Sequence, residues 1–187
     1  MSLLRIIAKP LPNEYPAYSA KYMDLLKNDG LVLYHLMNNF LEIRHNITEL
    51  SSDILHYRYA PEKWNIKETL VHMMDDERIY AYRALCFARG EKQKLPGFDQ
   101  DSYAALSGAS ARSIQSIFAE YEAVRHATVA MFNAFTDEML LRMGYSDENN
   151  SHRSVRAFVY HIAGHELRHW EIIKERYLER SASGGTY

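Results

Sequence analysis

The stretch "SVRAFVYHIAGHELRHWEIIKERY", Ser154 to Tyr177, decides the fold. It contains no proline, and its apolar residues recur every three or four positions, so it reads as a long amphipathic helix running from about Ser154 to Arg180. At 3.6 residues per turn, Phe158, His161, Ile162, His165, His169 and Ile172 fall within roughly a third of the circumference. Three histidines therefore sit inside the apolar face. A buried imidazole needs a hydrogen-bond partner or a metal.

Outward from this helix, the same periodicity dominates the chain. A first helix is expected from about Ala17, broken at "NDG" and resumed with Leu33, Leu36, Met37, Phe40, Ile43, Ile47 and Leu50 on one face. Asn65, followed three residues later by Glu68, forms a capping-box signature that should start a second helix. That helix carries Ile66, Leu70, Met73, Tyr80, Ala84 and Phe87 on its stripe and stops near Gly90. A third is expected from about Ala111 to Phe135, then a short one capped by Thr136. "GYSDENNSH" reads as a turn-rich loop. The connection from Glu91 to Ser110 is long enough to suggest that it covers a site. The expected organisation is an extended arm over residues 1–16, one domain over 17–180 and a flexible tail over 181–187. The fold class is all-α, a four-helix bundle.

Composition narrows the function. The chain has 187 residues, 25% of them charged, with a formal net charge of -2. No Lys/Arg cluster suggests nucleic acid. No apolar run approaches the ~20 residues of a membrane span. "MSLLRIIAKPLPNEYP" is too short and too polar in its apolar patch for a signal peptide. One cysteine, Cys86, excludes an internal disulfide and fits a reduced, cytoplasmic setting. It reads as a passive packing residue, since no partner stands at helical spacing.

Two histidines at i and i+4 point the same way and can bind one metal ion; a third ligand must come from another helix. Among the remaining histidines, His72 is the best placed, on the flank of the second helix's apolar stripe with Asp76 and Arg83. A solvated flank is the alternative. His165-Glu166-Leu167-Arg168-His169 also spells the H-E-x-x-H string of zinc proteases. Such enzymes need a further ligand, commonly downstream, and 18 residues after His169 leave no room for it with a substrate cleft.

"PEKWNIKETLVHMMDDERIYAYRALCFARGE", "LPGFDQDSY" and the helix from Ser154 together resemble the DinB/YfiT-like family of metalloenzymes. The most specific parts are Trp64, Glu68 and His72 in one helix and His165 with His169 in the other. The resemblance covers about Tyr34 to Leu178. It implies a four-helix bundle, a homodimer and one divalent metal held by His72, His165 and His169. His161 is extra to that pattern and is expected in the core or behind the ligands. Zinc, nickel, iron and copper all suit three imidazoles. The expected function is hydrolysis of a small substrate by metal-bound water, with Glu166 or Asp76 as base. Transfer of a low-molecular-weight thiol, anchored by Arg83 and Arg168, is the alternative. A non-catalytic metal-binding or interaction module is the reading from another class.

Overall fold

The computed structural model describes residues 3–147 and 151–179. Four long helices carry the fold: α2, Val32–Ile47; α4, Ile66–Ala88; α6, Ile114–Ala134; and α8, Val155–Ile173. Shorter ones are α1, Ala20–Met23; α3, Ser52–His56; α5, Gln100–Leu106; and α7, Asp137–Leu141. A π-helical turn, Lys174–Leu178, extends α8. The expected tail over 181–187 and the helix end at Arg180 lie outside the described residues.

Local chemistry sets the starts of these helices. Asn65 and Glu68 form the expected reciprocal cap of α4: the Glu68 N–H donates to Asn65 Oδ1, and the Asn65 N–H to Glu68 Oε2, both at 2.9 Å. Ser113 caps α6, Thr136 caps α7 and Ser154 caps α8, each accepting from a backbone N–H three residues on.

α4 packs against both α6 and α8, and α2 packs against the same two. The bundle order is therefore α2–α6–α4–α8, a four-helix bundle in which α4 and α8 are neighbours. The predicted stripes face inward: Leu33, Leu36, Phe40, Ile43 and Ile47 of α2 are buried, as are Leu70, Met73, Tyr80 and Phe87 of α4.

The core is not continuous. One apolar cluster holds Leu36, Tyr80, Phe87, Phe132 and Phe158; the other holds Phe40, Met73, Phe118, Tyr121 and Trp170. Between them runs a buried polar layer, with Asp76 and Glu77 on α4, Arg125 on α6, and His165 and Glu166 on α8. Arg125 is its centre. It donates to both carboxylate oxygens of Glu77, to Glu166, and to the Leu36 carbonyl, and so touches all three other long helices.

Two segments depart from the sequence reading. The loop read in "GYSDENNSH" contains a β-hairpin, β1 (Met143–Ser146) against β2 (Ser151–Ser154), antiparallel with Met143 opposite Ser154. Strands of four residues are too short and too polar to show alternation. Leu95 adds backbone bonds to Tyr145 and Asp147, tying the connection after α4 to this hairpin. That connection is also not structureless, because Asp99 caps α5 within it. The N-terminal arm is held at Ile7, which is buried and whose N–H donates to the Gly30 carbonyl at 3.0 Å.

Candidate metal centre

The polar layer ends at α4 and α8, where the histidines meet. His72 comes from the second turn of α4; His165 and His169 come from successive turns of α8. His165 Nε2 lies 3.2 Å from His72 Nε2 and 3.1 Å from His169 Nε2. One ligating atom from each of the three lies within 4.8 Å of the others. Among the described residues this is the group of His, Cys, Asp and Glu side chains able to hold a metal ion. His72 and His165 are buried, so the solvated-flank alternative for His72 is excluded, and His169 is half-buried.

The electrostatics fit a cation. Burial pushes the His72 imidazolium pKa down to about 3, with His169 adding to the effect. Burial, then the neighbouring rings, holds His165 and His169 well below the usual histidine range. All three are therefore neutral near pH 7, the form that ligates. In a dry core, three neutral rings turned nitrogen to nitrogen leave one lone pair shared between two neighbours. A divalent cation satisfies all three at once.

Asp76, one turn after His72, stands behind the cluster. Its Oδ2 lies 3.4 Å from His165 Nδ1 and 3.8 Å from His161 Nε2. A carboxylate in that place favours N–H on His165 Nδ1 and leaves Nε2 as the donor atom for a metal. His161 is buried and is not one of the three converging histidines, although its ring lies nearly parallel to that of His165 with centroids 5.7 Å apart. Its ring stacks flat on Tyr80, with centroids 4.0 Å apart and planes 5° from parallel.

Aromatic rings wall the cluster. Trp64 leans over His72, with centroids 4.5 Å apart, and stacks near His169. Tyr22 of α1 sets its edge or face against His161 and His165 at 5.0 and 5.5 Å. Gly164 permits that approach: a Cβ there would stand 2.3 Å from the Tyr22 carbonyl oxygen. The sequence reading did not foresee Tyr22, and a glycine in the middle of α8 was the available signal.

Two cavities flank the histidines. One, of about 340 Å³, reaches His165 and His161 between Tyr22, Tyr80 and Phe98. The other, of about 210 Å³, reaches His169 beside Trp64 and Tyr177. Asp101 of α5 lines both, so the long connection does lie over the cluster.

The remaining sequence candidates are placed elsewhere. Glu166 is buried against α6, where Oε1 accepts from Tyr121 at 2.7 Å and from Arg125 at 2.6 Å. Arg168 pairs with Glu171 on the outer face of α8. Arg83 is buried, donates to the Pro96 carbonyl at 2.9 Å and lies over the rings of Tyr80 and Phe98. Neither arginine is among the residues lining the two cavities.

Fold and site define a class of protein, a four-helix bundle with three converging histidines between two of its helices. The chain belongs to the DinB superfamily, whose family model matches residues 35–173. Its structure is similar to that of YfiT from Bacillus subtilis, described as a probable metal-dependent hydrolase with an unusual four-helix bundle topology. The TM-score is 0.73 at 13% identity, over 82% of this chain and 88% of that one. No curated protein sequence matches the chain. Among the described residues, no helix is long and apolar enough to cross a membrane.

Proposed function

We propose that this protein is a metal-dependent hydrolase of a small substrate, with one divalent transition metal held by His72, His165 and His169. The observation that carries this reading is the convergence of three buried imidazole nitrogens beside two cavities of small-molecule size. The relative described as a probable metal-dependent hydrolase supports it. A metal held there supplies Lewis acidity and brings the pKa of water toward neutrality. The chain's own residues do the rest. Asp76 orients His165, Trp64 and Tyr22 keep bulk water from the rings, and α5 covers the cavities. Of the two carboxylates expected as base, Asp76 is the one beside the histidines, and Glu166 is committed to Arg125 and Tyr121. Thiol transfer needs a cationic dock, and the placements of Arg83 and Arg168 favour hydrolysis over it.

Leu31, Tyr34 and Leu41 form an exposed apolar stripe on the outside of the first long helix, which supports a homodimer. Light scattering of the parent and a Tyr34→Glu/Leu41→Glu variant tests this, with a dimer expected in the first and a monomer in the second. The free thiol of Cys86 fits a reducing cytoplasm.

The test of activity is turnover of small ester and amide substrates by protein loaded separately with zinc, nickel, iron and copper. Activity should vanish with a chelator, return with metal and be absent in His165→Ala. Equal turnover by the metal-free protein would contradict the proposal, and turnover only with an added thiol would favour the transferase.

A further inference from the structure

Tyr22 stands in the wall of the cavity of about 340 Å³ that reaches His165. Its backbone packs on Gly164 of α8, and its ring centroid lies 5.0 Å from that of His161 and 5.5 Å from that of His165. Lys21 Nζ lies over the ring, 4.8 Å from the centroid. This packing leaves the outer edge of the ring and the hydroxyl for the cavity.

The hydroxyl is accessible. Among the described residues it has no hydrogen-bond partner, yet it is not one of the buried unpaired polar atoms. Tyr22 as a whole is half-buried. Its O–H is therefore a donor that the fold does not use, held beside a histidine of the metal centre.

Charge selects among the oxygens that could accept that proton. Asp76, Asp99 and Asp101 line the same cavity, and among the described residues no Lys or Arg does. The cations nearby pack on ring faces instead, Arg83 5.8 Å from the Phe98 centroid and Arg153 5.3 Å from that of Tyr18. An entering carboxylate or phosphate meets three carboxylates and no cation in the wall. A neutral carbonyl meets no such repulsion, and Tyr80 and Phe98 offer it aromatic surface.

We propose that Tyr22 is a catalytic residue for a neutral acyl substrate, an ester or an amide, whose carbonyl oxygen accepts the hydrogen bond of the Tyr22 hydroxyl. The inference rests on the hydrolase reading and names its substrate class. As water adds to the carbonyl carbon, the C=O π pair moves onto that oxygen. A donor already in place holds the growing charge more strongly than it holds the ground-state carbonyl. The pair returns as the bond to the alcohol or amine breaks, and that leaving group departs with one proton of the water. A carboxylic acid remains, and Tyr22 keeps its own proton throughout.

The test compares the zinc-loaded parent with zinc-loaded Tyr22→Phe. Phenylalanine keeps the ring, so thermal midpoint and zinc content should match the parent. Infrared difference spectra of N-methylacetamide labelled with carbon-13 at its carbonyl read the contact without turnover. The bound carbonyl band should lie lower in the parent than in the variant. The variant should bind this probe about three- to tenfold more weakly, the scale of one neutral hydrogen bond. N-acetylglycine, which adds a carboxylate to the same amide, should bind the parent more weakly than N-methylacetamide. With an ester or amide that the parent hydrolyses, kcat should fall about 100-fold or more in the variant, well beyond any change in KM. Equal carbonyl bands, tighter binding of N-acetylglycine, no binding of the neutral probe or an unchanged kcat would overturn the proposal. If Tyr22→Phe does not fold, a fluorine label on the Tyr22 ring of the parent decides: its resonance should move with N-methylacetamide, and an unmoved resonance would overturn the proposal. A parent that binds the probe through Tyr22 and hydrolyses nothing would sink the hydrolase reading and leave the contact. A parent whose turnover and carbonyl band ignore Tyr22→Phe would sink this proposal and leave the hydrolase reading.

Discussion

Arg125 Nη2 donates to Glu166 Oε1 at 2.6 Å, and Glu166 is the residue immediately after His165. The same guanidinium holds Glu77, five positions beyond His72. Both helices that supply the histidines are therefore pinned in roll and height by one buried cation. The polar layer is what registers α4 against α8.

Arg125→Met should accordingly destabilise the fold by about 3–5 kcal/mol, because it strands two buried carboxylates. Chemical denaturation at neutral pH measures the loss. Adding Glu77→Gln and Glu166→Gln to the same protein should recover part of it. A single variant as stable as the parent would show that the ion cluster does not hold the bundle.

The same cluster marks the limit of what the sequence conveys. The long helices and the cap at Asn65 were legible, because period and capping are local properties. His72, His165 and His169 were legible as candidates because each stands at a fixed angle from an apolar stripe. Arg125 was not: it interrupts the stripe between Tyr121 and Phe132, and its partners lie on three other helices. Glu166, about 100° from His165 on the helical wheel, could be read as a base or as a solvent-facing residue until α6 was placed against it. The hairpin escaped for a different reason, since its pairing gains support from Leu95, far earlier in the chain.

Asp76→Asn should keep the fold and lower metal affinity by about 10- to 100-fold, the usual cost of losing a carboxylate behind a ligating histidine. Competition against a coloured chelator gives the number. Unchanged affinity would mean that Asp76 does not orient His165.

Gly164→Ala tests the seat of α1. Alanine ordinarily favours a helix over glycine by about 1 kcal/mol. Here the new Cβ meets the Tyr22 carbonyl carbon at 2.7 Å as well as its oxygen, and backbone cannot swing aside as a side chain does. A net loss of about 1–3 kcal/mol is expected. A gain in thermal midpoint would contradict the close packing of α1 on α8.

Alkaline pH should loosen the N-terminal arm. The Tyr160 hydroxyl donates to the Ile7 carbonyl at 2.7 Å, and burial, with Asp29 adding, pushes its pKa from 10.0 up to about 12. The folded state keeps this proton where the unfolded chain has lost it. The contribution is thus complete below about pH 10 and is lost as pH rises from 10 through 12. Stability followed across that window should fall, and Tyr160→Phe should flatten its share of the fall. An identical slope in the two proteins would show that the arm is held without Tyr160.

The central claim is that His72, His165 and His169 hold one metal ion. Elemental analysis of protein purified without a histidine tag, beside His72→Ala, tests it most directly. About one equivalent of a divalent transition metal in the parent and none in a folded His72→Ala is the predicted result. A metal-free parent that also fails to take up metal on reconstitution would contradict it, as would full occupancy in the variant.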